Sequence, residues 1–195
     1  MGNGGGMRSA PIGGYFADDL AAVVAHARAS AEPTHAHPDG QAGAIAVAVA
    51  AALAWKIGAG QLEAANFLRD VVGFTPAGAT RDGIEKAVAL PLSYDVRTAV
   101  AALGNGSRVI SADTVPFALW CAARHIDNFE EALWSTVSGL GDRDTTCAIV
   151  GGIVALAVGH AGIPSAFVEA REPLDSDVDY LERHAEEVRL GRRPR

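Results

Sequence analysis

Two carboxylates one residue apart, followed by a hydroxyl, occur in the stretch Gly139-Leu140-Gly141-Asp142-Arg143-Asp144-Thr145-Thr146. Oxygen donors of this kind suit a hard divalent cation such as magnesium. The helix that follows, Ala148 to Val158, has almost no polar residue and must be buried. Asp142 and Asp144 then stand at the edge of a core, where uncompensated charge is costly and a cation would neutralise it. Two other chemistries compete for the same residues. Either aspartate could cap the helix by accepting from free backbone N–H groups. An Asp-x-Asp nucleophile of the phosphatase kind should follow a buried strand, and none is visible upstream.

A second candidate is Gly2-Asn3-Gly4-Gly5-Gly6-Met7-Arg8. Backbone amides of so glycine-dense a loop can converge on an anion such as a diphosphate, with Arg8 pairing to it or buttressing the loop. The Gly-Lys-Ser/Thr ending of a P-loop and the strand preceding a dinucleotide fingerprint are both missing. A floppy amino terminus is the competing reading. The third candidate is Thr34-His35-Ala36-His37-Pro38. A His-x-His pair can ligate zinc but needs further ligands, and two cysteines on apolar helix faces are poor ones. Such histidines more often bond within their loop. Cys121 and Cys147 have no basic neighbour in sequence to activate them.

The elements that must position these groups read as helices throughout. The chain has 195 residues, 49% hydrophobic, 20% charged and 6% aromatic. Much of the apolar fraction is alanine, which favours closely packed helices. The segment Gly2 to Gly14 is expected to be a loop, too glycine-rich for regular structure. Asp18-Asp19 starts a helix to Ala31, and Pro38 sits in the first turn of one reaching Ile57. Further helices are expected at Gln61–Val72, at Ile84–Leu90 after a loop to Arg81, and at Tyr94–Leu103. Others are expected at Asp113–His125, from Asp127 or Asn128 to Ser138, at Asp144–Ala161 and at Val178–Leu190. Trp120, Trp134, Phe117 and Phe129 recur at helical spacing and read as core. His125 and His160, near helix ends, are expected to meet terminal carbonyls. No period-two pattern or internal repeat appears. The expected fold is all-α, a single globular orthogonal bundle.

A net charge of −7 argues against a nucleic-acid binder, and the basic run Arg189 to Arg195 reads as a solvated tail. The apolar run Ala42 to Trp55 is shorter than the roughly 20 residues of a membrane span and reads as a buried helix. With no basic-then-apolar leader and no disulfide framework, a cytoplasmic, reducing location without membrane association is expected.

Four segments, in order, resemble the ADP-ribosylglycohydrolase family, which includes the dinitrogenase-reductase-activating glycohydrolases. They are Gly2 to Arg8 with Ala10-Pro11, then Thr34 to Pro38 with Gly43-Ala44. Val115-Pro116 to Trp120 with Phe129 to Leu133 follows, and then Gly141 to Thr145 with Gly151-Gly152. The resemblance covers roughly residues 1 to 170. It implies an all-α fold and a centre of two Mg2+ ions, with Asp142, Asp144 and Thr145 as metal ligands. It also implies an ADP-ribose cleft lined by Asn3, Gly4, Gly5, Gly6 and Met7, and His35 contacting ligand or shaping the cleft. The partner it implies is an ADP-ribosylated protein or a small-molecule conjugate. The family's Thr-Asp-Asp motif, which gives the remaining ligands and a catalytic carboxylate, does not occur in this sequence, and Asp18-Asp19 does not replace it. The chain therefore reads as a carboxy-terminal portion: residues 1–172 a partial family domain, residues 173–195 a charged helix and basic tail. Weak or absent turnover, and association through surface that amino-terminal helices would cover, are the accompanying expectations.

Overall fold

The computed structural model describes residues 1–170, and all of its regular elements in that range are helical. The expected helix Val178–Leu190, the basic tail and the 172/173 boundary lie outside the described residues. In chain order the α-helices are α1 (Gly4–Met7), α2 (Ala10–Tyr15), α3 (Leu20–Ala31), α4 (Pro38–Gly58) and α5 (Phe67–Phe74). After these come α6 (Ala79–Ala89), α7 (Val96–Leu103), α8 (Ser111–Arg124), α9 (Phe129–Ser138), α10 (Arg143–Val158) and α11 (Ser165–Glu169). Short 3-10 turns occupy Ala64–Asn66 and His160–Gly162. Residues Met1–Ile163 form one compact unit; α11 belongs to a second.

Helix α4 is the axle of the first unit. Every residue from Ala42 to Ala54 is buried, and α1, α2, α3, α5, α8 and α10 all pack on it. At 21 residues it is long and apolar enough to cross a membrane, but 78% of its most apolar window is buried inside this fold. The local chemistry at its start is as the sequence suggests. Pro38 occupies the first turn, where its missing N–H is no loss, and the His37 ring accepts from the Asp39 N–H at 3.1 Å. His37 is thus committed to a cap.

The segment Gly2 to Gly14 is not a loop. It forms α1 and α2, because packing against α4 outweighs the poor helix propensity of glycine. Gly13 shows why the residue is needed: a Cβ there would lie 2.1 Å from the Ala48 carbonyl oxygen. Other boundaries shift by a few residues. The expected Gln61 start becomes a 3-10 turn at Ala64, and α6 begins at Ala79 rather than Ile84. Helix α8 starts at Ser111, which places Asp113 in its first turn, and α10 ends at Val158, where Gly159 turns to a φ of +66°.

The core around α4 contains Phe67, Phe117, Leu119 and Trp120, all fully or almost fully buried. Trp120 also donates its indole N–H to the Leu90 carbonyl at 3.3 Å. Trp134 corrects the expectation of a core residue: it is 57% exposed and donates its indole N–H to Glu130. His125 meets the Ser135 hydroxyl at 2.8 Å through Nε2, not a terminal carbonyl. Burial, then the charge of Arg124, holds its imidazole below the ordinary value.

Candidate functional site

The start of α10 and the start of the chain meet at one residue pair. Asn3, almost completely buried, donates from Nδ2 to the Asp142 carboxylate at 2.6 Å and to the Thr114 hydroxyl at 3.0 Å. Thr114 in turn donates to the Ile110 carbonyl, so the Asn3 amide is held from both sides. Main-chain bonds fix the approach. The Gly2 backbone bridges to Ile110, Ser111 N–H donates to the Met1 carbonyl, and the Ser111 hydroxyl donates to the Gly2 carbonyl.

Asp142 occupies the N-cap position of α10 without using its side chain as a cap. Its backbone is pinned instead: its N–H donates to the Asn105 carbonyl at 3.2 Å, and its carbonyl accepts from Thr146 N–H and hydroxyl. The Asn105 amide closes the arrangement by donating to the Gly139 carbonyl at 2.9 Å. Gly106, at φ +87°, lets the two loops touch, since a Cβ there would sit 2.7 Å from that of Asp142. Burial pushes the Asp142 carboxyl up. The Asn3 hydrogen bond, with the Asp144 and Thr145 side chains and the Thr145 N–H against the same group, outweighs this and holds it below its ordinary value. Asp142 is half-buried, Asp144 exposed and Thr145 buried. The Asp144 and Thr145 side chains both reach the Asp142 carboxylate.

The glycines at the start of the chain, Gly2 ahead of α1 and Gly4 to Gly6 within it, pack closely on their neighbours. Gly2, Gly4 and Gly5 form a floor for the His35 ring, which lies 3.2–3.5 Å from where their Cβ atoms would be. Gly6 faces the backbone of Gly43, and Met7 is 41% exposed. Arg8 buttresses this corner, donating from Nη2 to the Ser30 carbonyl at 3.0 Å and the Thr34 hydroxyl at 2.7 Å. The Thr34 hydroxyl lies 2.8 Å from His35 Nδ1. Burial first, then the charges of Arg8 and the amino terminus, keep the His35 imidazole below its ordinary value. Both sites therefore converge on the first five residues, His35 on their glycines and Asp142 on their asparagine.

Sequence reasoning missed Asn105, Gly106 and Thr114, which hold Asp142 in place. The Gly104-Asn105-Gly106 run was the available signal, since two residues free to take positive φ around an amide mark a built turn. The same loop borders a cavity of about 540 Å3 lined in part by Asp39, Lys86, Leu103, Arg108, Ile110 and Asp113. Asp142 and Asp144 are not in its wall. Burial pushes the Cys121 thiol up to about 12 and raises that of Cys147.

Asp142, Asp144 and Thr145 carry oxygen donors of the kind a hard cation takes. No group of three or more histidine, cysteine and acidic residues able to hold a metal occurs among the described residues. In chemistry the three side chains match a hard cation, and in number they fall short of enclosing one.

The sequence profile of the ADP-ribosylglycohydrolase family matches residues 1–195. A curated relative from Archaeoglobus fulgidus, described only as an uncharacterized protein, is 34% identical over 179 residues. The alignment covers 92% of this chain and 55% of the relative, so the chain spans about half the length of the curated relative it matches. Helical architecture, the ordered motifs and the profile match agree: this chain belongs to the ADP-ribosylglycohydrolase family.

Proposed function

We propose that the chain takes part in magnesium-dependent hydrolysis that frees ADP-ribose from a modified protein side chain or a small molecule. The observation that carries this reading is the Asn3–Asp142 hydrogen bond. It joins the glycine-rich start of the chain to an acidic helix start across 139 residues. Family membership supports the reaction class.

In this reading Asp142, Asp144 and Thr145 hold the cation. Bound there, it would supply positive charge to orient ribose hydroxyls and a water as the scissile carbon acquires oxocarbenium character. Asn3 keeps the Asp142 carboxylate ionised and aimed, and Asn105 and Gly106 fix its backbone. His35, seated on Gly2, Gly4 and Gly5 with its imidazole held below the ordinary value, shapes the neighbouring wall. Arg8 is occupied in bracing that wall and is left out of the chemistry. Among the described residues two carboxylates gather here, and on that count turnover by this chain alone is weak or absent. A non-catalytic ADP-ribose-binding role is the alternative this same feature favours.

Calorimetric titration of Mg2+ and ADP-ribose into wild type and Asp144→Ala tests the reading. Metal-dependent binding lost in the variant supports it; identical behaviour of the two proteins refutes it. Release of ADP-ribose from a modified protein separates the two roles, and robust turnover would contradict the weak activity assigned here.

A further inference from the structure

Thr114 lies early in α8 and is completely buried. Its hydroxyl has one proton to give and lone pairs to receive with. The proton goes to the Ile110 carbonyl at 2.9 Å. The helix start does not need that bond, because the same carbonyl already accepts from the Asp113 and Thr114 N–H groups at 3.0 and 3.1 Å. The helix itself would be served as well by valine, which has the same branched shape and no proton to place. What the bond does is set which way the hydroxyl faces. With its proton spent on Ile110, Thr114 meets Asn3 with a lone pair and can only accept. The ionised Asp142 carboxylate can likewise only accept. Asn3 Nδ2 stands between these two acceptors, 3.0 Å from Thr114 Oγ1 and 2.6 Å from Asp142 Oδ2. A side-chain amide turned over would press its oxygen against both, so one of its two orientations is barred.

We infer that Thr114 is a positioning residue for Asp142, locking the Asn3 amide in the orientation that presents its N–H to the carboxylate. The inference rests on the function proposed above and adds to it a residue of α8 that acts only through Asn3. The order of donors is fixed at each link: Asn3 gives to Asp142 and to Thr114, and Thr114 gives to Ile110. The same turn of α8 also grips the start of the chain, through Ser111 to Met1 and Gly2. Thr75 supplies the contrast. It is buried too and donates its hydroxyl to the carbonyl four residues back, that of Val71, at 2.8 Å, but it lies outside this cluster.

The test uses the full chain and two readouts, the Asn3 side-chain amide by NMR and calorimetry of ADP-ribose binding with magnesium present. In wild type both Asn3 amide protons are expected to exchange at least about 10-fold more slowly than those of the exposed Asn128. Thr114→Val should release one of the two protons and weaken ADP-ribose binding by about 10-fold. Thr114→Ser, which keeps the hydroxyl, should return both readouts to within about twofold of wild type. Thr75→Val should change neither, whatever it does to the melting temperature. A valine variant at position 114 that binds as tightly as wild type, or a serine variant as weak as the valine one, overturns this inference and leaves the proposed function standing. So does a wild-type Asn3 amide with an unprotected proton, a result that needs no variant to fold. A wild-type chain that does not bind ADP-ribose in magnesium overturns the proposed function and this inference with it.

Discussion

Asp95 and Asp142 hold the same position, the residue just before the first turn of a helix, and use it in opposite ways. At the start of α7 the Asp95 carboxylate turns inward and accepts from the Thr98 N–H at 2.9 Å and the Thr98 hydroxyl at 2.9 Å. At the start of α10 the Asp142 carboxylate takes the Asn3 amide, 139 residues distant in sequence, alongside groups of its own first turn. Asp19 and Asn128, at the starts of α3 and α9, behave as Asp95 does. A cap is a local device that any short polar side chain can perform. Asp142 differs in tying its helix start to a residue far away in the sequence.

The largest effect that could break this contrast lies in ligand binding. Asp142→Ala is expected to weaken Mg2+-dependent ADP-ribose binding by more than about 100-fold, while Asp95→Ala leaves it unchanged. Calorimetry on both variants reads this directly, and a similar response from the two would erase the distinction. Next is Asn3→Ala, which removes the charge-assisted donor and leaves Asp142 and Thr114 short of a partner. Binding should fall by about 10- to 100-fold, and the Asp142 carboxyl should rise toward its ordinary value in an NMR titration. A cap that carries only structure should show the reverse pattern. Asn128→Ala is expected to cost about 1 kcal/mol in urea unfolding with ADP-ribose binding intact.

The smallest effect is on acid stability, and its sign follows from the direction of each shift. His35 and His125 lie below their ordinary 6.5, so the unfolded chain binds more protons and stability falls as pH drops through that value. Asp95 and Asp142 are held below 3.8, so their contribution is present above that value and is lost as pH falls through their depressed folded values. At Asp95 the backbone and side-chain bonds from Thr98 cause the lowering; at Asp142 the Asn3 bond overcomes burial. Urea midpoints measured against pH should therefore decline in two stages. His35→Gln should shrink the upper stage, and Asn3→Ala the lower one.

How much of this was legible in the residues depends on how local the encoding is. Pro38, Asp19 and Asn128 announce their helix starts because each acts within one turn of itself. The acidic start of α10 was legible for the same reason, as a pair of carboxylates ahead of an apolar run. The glycines of α1 and α2 misled, since propensity argues for a loop and only the surface of α4 makes them helical. Trp134 misled because helical spacing shows which residues share a face, not whether that face is covered. The Asn3–Thr114–Asp142 cluster had no local trace at all: its members are brought together by tertiary packing across 111 and 139 residues.

The alanines of α4 bear on how this domain can change. Ala48 and its neighbours set the spacing between helices at nearly backbone-to-backbone distance, with Gly13 pressed on the Ala48 carbonyl and Gly58 on that of Ala157. A protein built this way has no slack along its axis: an added methyl group must displace a whole helix, where a leucine-filled interior could shift a rotamer. Enlarging a residue on α4 would move α1 and α2, and with them Asn3. Drift in the hydrophobic axis and upkeep of the acidic centre are therefore mechanically the same problem.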